Sequence, residues 1–402
     1  MKILVVSQYF NPDVCALNDI VKQMVADGHE VTVLTGLPDY TTSKVPKEYK
    51  WFRNRHQVYN GADVHRVSII ARHHGPIFRA LNYLSFAVNG WLYATFHKFD
   101  EFEAIYVWEV SPVTMAVPAI RLKNRYKKPL FLYCMDLWPE SVKAMGFKDG
   151  NFLYRIFHWI SRKIYSHCDH IAVSSKPFFG YLEDINGYQE EKMSYLPQFA
   201  SDSMLEMDLA KHEDGNIDFL FIGNIGKVQN VDVIIKACNE IKSIDNWKMH
   251  IVGNGSNIDM CRNLVKDFKL DDKVIFHGSC TIAESVEYYK FCDACILTLN
   301  GDNMIGSTLP GKLQTYMAAG KPILGAINGA GNEVIKESGC GSTVNAGDYK
   351  GLASLMKSYV DNPEQYAECG LNAREYFKNN FTVDRHFTEL YRQLNGMIEE
   401  RK

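Results

Sequence analysis

Short apolar runs separated by amphipathic stretches set the rhythm of this chain. Residues 3–6, 30–34, 104–107, 130–133, 170–174 and 193–197 in the first half read as buried strands, as do 218–222, 248–252, 274–278, 295–299 and 323–326 in the second. Between them lie stretches with apolar residues at helical spacing. Ile20, Val21, Met24 and Val25 fall on one side of a helix expected over 16–27, and 231–241, 312–319 and 384–400 read as helices too. A strand–helix–strand alternation calls for parallel sheets, because parallel neighbours need a crossover connection. The fold class is therefore α/β. A chain of 402 residues exceeds the usual size of one core, and the polar, turn-prone run 198–215 marks a break between two such domains.

Composition narrows the function classes. A net charge of −3 argues against a general nucleic-acid binder, although residues 1–200 carry a formal +4 and residues 201–402 a formal −7. The ten cysteines are scattered, and Cys292 and Cys295 form the one Cys-x-x-Cys, with no second pair at zinc-site spacing. They read as buried thiols, and no metal site is expected. The chain opens on a buried strand and has no apolar run long enough to span a bilayer, so a reducing cytoplasmic location is expected. The first strand–helix loop lacks Gly-x-Gly-x-x-Gly, which disfavours a nicotinamide or flavin cofactor.

The richest stretch for chemistry is 309–323. Pro310 and Gly311 precede a short helix that Gly320 stops and Pro322 keeps from resuming. Lys312 thus sits in the first turn of a helix just past a strand end, where unpaired N–H groups and the helix dipole favour an anion. A phosphate and an ordinary solvated lysine are both compatible with this pattern. The loop Gly223-Asn224-Ile225-Gly226-Lys227 precedes a second helix in the same way, and Lys227 is expected to reach the same phosphate. Gly253-Asn254-Gly255 repeats the theme after the next strand. In the first half, Asp136 stands at a strand end, where it could orient or deprotonate a hydroxyl or cap a helix. Residues 77–99 and 152–165 form two aromatic-rich helices flanked by basic residues, a pattern that suits either a membrane surface or a domain core. Thr281 and Glu284 make a capping box for a helix over 281–291.

Several of these stretches resemble family 4 glycosyltransferases, and most closely the bacterial surface-polysaccharide branch of fucosaminyltransferase-like enzymes. The match is carried by Pro310-Gly311-Lys312-Leu313 with Ala318-Ala319-Gly320-Lys321-Pro322, by Asp136-Leu137-Trp138-Pro139-Glu140-Ser141, by Thr35-Gly36-Leu37-Pro38-Asp39-Tyr40 and by Gly223-Asn224-Ile225-Gly226-Lys227. It covers nearly the whole chain. The departures are specific. Asp13-Val14-Cys15 stands where many members carry Gly-Gly, Met135 where they carry His, Asn224 and Gln229 where they carry Arg and Lys, and Ser307 and Thr315 where they carry two Glu.

The resemblance implies a GT-B fold of two Rossmann-like domains facing an interdomain cleft. Residues 1–200 would bind acceptor, 201–383 the nucleotide sugar, and 384–402 would be a terminal helix crossing back to the first domain. It implies retaining transfer from a UDP-sugar, N-acetylated or deoxy, to an undecaprenyl-diphosphate-linked saccharide at the inner face of the cell membrane, with no metal. Asp136, Lys227 and Lys312 would be catalytic. Gly223, Asn224, Gly226, Gly253, Gly255, His277, Pro310, Gly311, Leu313 and Thr315 would hold the donor. Pro12, Asp13, Asp39, Tyr40, Arg72, His73, Glu109, Trp138 and Glu140 would face the acceptor. Two alternatives share these features: a UDP-N-acetylhexosamine epimerase and a non-catalytic sugar-nucleotide-binding scaffold.

Overall fold

The computed structural model describes residues 1–40, 42–73, 75–140, 151–206, 215–301 and 308–401. His74, Ser141, Ser307 and part of the expected break at 198–215 lie outside them. The chain divides into two units, Met1–Leu196 with Leu390–Lys402, and Pro197–Glu389.

The first unit is built on an eight-stranded sheet of order β3-β4-β2-β1-β5-β6-β7-β8. Its strands are β1 (Lys2–Val6), β2 (Glu30–Gly36), β3 (His56–Tyr59), β4 (Ala62–Val67), β5 (Ala104–Glu109), β6 (Leu130–Cys134), β7 (His170–Val173) and β8 (Met193–Tyr195). Every neighbour pair is parallel except β3 and β4, which form an antiparallel edge hairpin. That hairpin follows from Asn60-Gly61, whose positive φ angles of 48° and 92° suit a two-residue turn. Neither of its strands is among those expected from the apolar runs, because their pattern is half-exposed. Helices α1 (Ala16–Ala26), α2 (Pro76–Phe96), α3 (Val117–Tyr126) and α4 (Phe152–Tyr165) belong to this unit. Ile3 to Val6 are buried in the middle of the sheet, which explains why the run is apolar without alternation.

The second unit holds a wholly parallel six-stranded sheet of order β11-β10-β9-β12-β13-β14. Its strands are β9 (Ile217–Ile222), β10 (Trp247–Val252), β11 (Val274–Gly278), β12 (Ala294–Thr298), β13 (Ile323–Ala326) and β14 (Gly341–Val344). The connecting helices are α5 (Val231–Glu240), α6 (Ile258–Phe268), α7 (Ile282–Phe291), α8 (Gly311–Ala318), α9 (Gly329–Ser338), α10 (Tyr349–Asp361) and α11 (Ala367–Asn380). Side chains alternate across the sheet and make a core on each face. Phe219 and Phe221 join one with Met249 and Ile296, while Leu220 joins the other with Val252, Leu297 and Tyr316. The capping box at α7 is formed: Glu284 Oε2 accepts the Thr281 N–H at 2.7 Å and Thr281 Oγ1 accepts the Glu284 N–H at 3.2 Å. The last helix, α12 (Val383–Glu399), passes from the second unit to the first at Leu390.

Candidate active site

In the second unit the loops after β9 and β10 cross at two glycines. A Cβ on Gly253 would lie 1.8 Å from Gly223 O, and one on Gly255 would lie 2.5 Å from Ile225 O, so neither position has room for a side chain. Gly223 and Gly253 adopt φ of 146° and 139°. The crossing is fixed by backbone bonds, with Gly223 N–H to Val252 O at 2.9 Å, Ile225 N–H to Asn254 O at 2.8 Å and Gly253 N–H to Gly278 O at 2.7 Å. A small cavity of about 270 Å³ opens there, lined by Gly223, Asn224, Gly253, Asn254, Ser279 and Cys280 among others.

Lys312, on the first turn of α8, reaches into this crossing. A Cβ on Gly223 would meet its Nζ at 3.1 Å. The ammonium lies 3.9 Å from the centroid of the Phe221 ring. The residue as a whole is half-buried, but Nζ itself is buried and has no hydrogen-bond partner among the described residues. Burial pulls its pKa down to about 7. Of the two readings left open by the sequence, the structure favours a preset, desolvated charge over an ordinary solvated lysine. Tyr316, one turn along α8, braces the end of β9, its hydroxyl accepting the Ile222 N–H at 3.1 Å. Phe221 and Tyr316 were not singled out in the sequence, since an aromatic in a strand or at helix spacing reads as core.

The other donor candidates sort by exposure. Asn224 is exposed and its Nδ2 donates to Gln229 Oε1 at 3.3 Å, so the two amides that replace the family's Arg and Lys pair with each other. Gly226 closes over the same Gln229 oxygen. Lys227 is exposed, whereas the ammonium of Lys312 is buried. Pro310 caps α8, Gly311 is exposed, and Thr315 is partly buried. Leu313 is corrected: its side chain is in the core and its N–H bonds to Pro310 O at 2.9 Å, leaving nothing to offer a donor. His277 is exposed on β11 but ends a chain into the sheet. Its Nε2 is 2.9 Å from His250 Nδ1, and His250 Nε2 donates to Asp218 Oδ1 at 3.0 Å. Burial and the facing His250 hold the His277 pKa down.

In the first unit the expected acceptor carboxylates turn inward. Asp13 Oδ2 accepts the N–H groups of Asp39 and Tyr40, at 2.9 and 3.0 Å. Asp39 Oδ2 accepts from Arg72 N–H at 2.7 Å and from Asn82 Nδ2 at 2.8 Å, and burial raises its pKa to about 6. Glu140 accepts the Tyr154 hydroxyl at 2.6 Å, and Trp138 is buried beside Phe157. Direct acceptor contact by Asp13, Asp39 and Glu140 is therefore corrected to loop bracing. What they display is exposed Tyr40, with the Arg72 guanidinium 4.9 Å from its ring centroid, and exposed Pro12 and His73. Glu109 is corrected as well. It has no accessible surface, and burial followed by the repulsion of Asp136 pushes its pKa well above the carboxylate range. Asp136 Oδ2 accepts the Ser111 N–H at 3.2 Å; burial raises its pKa against that bond.

The two parallel α/β units define a GT-B fold. Sucrose-phosphate synthase from Thermosynechococcus elongatus matches with a TM-score of 0.73 at 16% identity, covering 98% of this chain and 99% of that one. Anabaena HepE in complex with UDP and glucose matches at 0.69 and 15%, over 98% and 99%. Residues 16–198 match the model described as a glycosyl transferase 4-like domain, and residues 206–376 that of glycosyl transferases group 1. The chain belongs to this glycosyltransferase family. The probable glycosyltransferase WbjE of Pseudomonas aeruginosa is 25% identical over 264 residues, which span 60% of this chain and 62% of WbjE. The putative colanic acid biosynthesis glycosyl transferase WcaI of Escherichia coli is 21% identical over 339 residues, 80% of this chain and 82% of WcaI.

Proposed function

We propose that this protein is a retaining glycosyltransferase that moves a sugar from a UDP-sugar to a lipid-linked saccharide in the assembly of a bacterial surface polysaccharide. The observation that carries this reading is the buried Lys312 ammonium, without a hydrogen-bond partner among the described residues, at a glycine crossing too tight for any side chain. A diphosphate there would give the ammonium the charge partner it lacks and return its pKa upward. Charge developing on the leaving diphosphate would then be met by a fixed cation and the N-termini of α5 and α8, with no reorganisation in the transition state. Relatives named as transferases of colanic acid and lipopolysaccharide synthesis support the polysaccharide context, and the UDP bound in HepE supports the donor class.

The lipid-linked acceptor and a membrane-surface location draw support from the first unit. Helix α2 leaves Ile77, Leu84, Val88 and Trp91 exposed along one stripe, with Leu92 beside it and Phe96 exposed at the last turn. Helix α4 exposes Phe152, Leu153 and Trp159 alongside Arg155, Arg162 and Lys163. Both helices pack on the turn Val113–Ala116. No described helix is long and apolar enough to cross a membrane. Apolar rings with flanking cations suit the interface of an anionic bilayer.

Thermal unfolding with UDP, GDP or buffer, followed by mass spectrometry of products from UDP-sugars and a lipid-diphosphate saccharide, tests the reading. A UDP-specific rise in Tm with product formation is expected. Donor isomerisation without an acceptor would replace it with the epimerase, and the absence of any nucleotide effect would sink the donor site.

A further inference from the structure

The edge hairpin of the first unit gathers a cluster that the transferase reading does not use. His56 on β3 and His65 on β4 are direct cross-strand partners, with ring centroids 4.7 Å apart. Asp63, two residues before His65 on the same face of β4, lies between them. Its Oδ1 meets His56 Nε2 and its Oδ2 lies 2.9 Å from His65 Nε2. One ligand atom from each of the three residues falls within 4.8 Å of the other two. We propose that His56, Asp63 and His65 form a binding site for a divalent transition-metal ion of the zinc class.

The chemistry follows from the donor set. A four-coordinate ion with bonds of about 2.0–2.1 Å needs ligand atoms roughly 3.3 Å apart, within reach of small side-chain rotations here. Two imidazoles and one carboxylate suit zinc, cobalt or nickel, whereas calcium and magnesium ask for a cage of oxygens. Water completes the coordination, since His56 is 64% exposed and Asp63 42%.

The inner histidine is oriented as a ligand should be. His65 is only 12% exposed, and its Nδ1 lies 2.9 Å from the Tyr93 hydroxyl on α2, which leaves Nε2 directed at Asp63 and the site. His97 stacks on Tyr93 with centroids 4.5 Å apart and walls that side. Strand β3 joins the sheet only through β4, so it is a strand edge with a single partner. An ion held by His56 and His65 would staple this edge to β4 and, through Tyr93, to α2. The site owes nothing to a sequence motif: a sequence separation of nine residues becomes a direct pair only because Asn60-Gly61 turns the chain.

The test uses the full chain stripped of metal with a chelator. Cobalt(II) titration is expected to give one equivalent of binding with visible d–d absorption of a nitrogen and oxygen site, displaced by zinc. His56→Ala and His65→Ala should each weaken binding at least 10-fold, while His158→Ala, which alters another partly exposed histidine of this unit, should not. Zinc should slow amide exchange over 56–67 in the wild type and not in His56→Ala. His56 is exposed, so that variant keeps its fold, which unchanged transferase activity without metal will verify. A spectrum that persists in both histidine variants, a thiolate charge-transfer band, or no saturable binding would each overturn the proposal.

Discussion

The ammonium of Lys312 sits 3.9 Å from the centroid of the Phe221 ring and has no hydrogen-bond acceptor among the described residues. A ring face stabilises a cation by about 0.5–2 kcal/mol, less than the cost of desolvating it. Among the described residues, the ring is thus the one group that faces this charge, and it offsets only part of the cost of burying it.

Lys312→Met is expected to stabilise the protein and disable it together. The amine titrates near 10.5 when unfolded and near about 7 when folded. Between those values the unfolded chain carries the extra proton, so stability rises with pH across that window. The methionine variant loses this slope and gains up to a few kcal/mol at pH 7 by linkage, while transfer falls by a factor on the order of 10²–10³. Melting curves from pH 6 to 10 and turnover at saturating donor check both halves.

UDP-sugar binding should take up a fraction of a proton at pH 7 in the wild type and not in Lys312→Met, because a bound diphosphate raises the Lys312 pKa from about 7. Calorimetry in buffers of different ionisation enthalpy measures this number. Zero uptake in the wild type would mean that the diphosphate does not engage the amine.

Gly253→Ala should be among the most damaging single-methyl changes in the chain. The new Cβ would meet Gly223 O at 1.8 Å in a backbone conformation that L-residues avoid. A loss on the order of 3 kcal/mol or a large rise in donor KM is expected. Gly28→Ala, with nothing within 4 Å of the added carbon but the same sign of φ, isolates the conformational part.

Glu109→Gln should be tolerated, since a buried carboxyl with a strongly raised pKa already behaves as a neutral group. Above its unfolded pKa the folded wild type holds a proton that the unfolded chain releases, so wild-type stability falls as pH rises. The variant lacks that fall. The stability difference between variant and wild type should therefore grow from pH 5 to pH 9 in denaturant titrations.

Phe96→Glu with Trp159→Glu should reduce binding to anionic vesicles by about 10-fold or more, each buried ring being worth on the order of 1.5–3 kcal/mol. Activity on a soluble acceptor analogue should be kept. Equal loss on both acceptors would count against membrane docking by these helices.

Local order in this protein was legible from residue types alone. The alternation of apolar runs and amphipathic stretches fixes strands, helices and parallel sheets, because burial on both sheet faces requires continuous apolar strands. The Thr281–Glu284 cap and the Lys312 helix start are likewise short-range, set within a few residues. Even the missed hairpin had its signal in Asn60-Gly61. What only the tertiary structure decided are the long-range choices. Whether a carboxylate faces solvent or a neighbouring loop cannot be read from its spacing, and Asp13, Asp39, Glu109 and Glu140 all turned inward. Lys312 acquired its depressed pKa from burial, in a packing that sets it against the ring of Phe221, 91 positions away in the chain, and His56 met His65 only across a turn. Desolvation depends on which distant atoms displace water from a group, and that is a property of packing rather than of sequence.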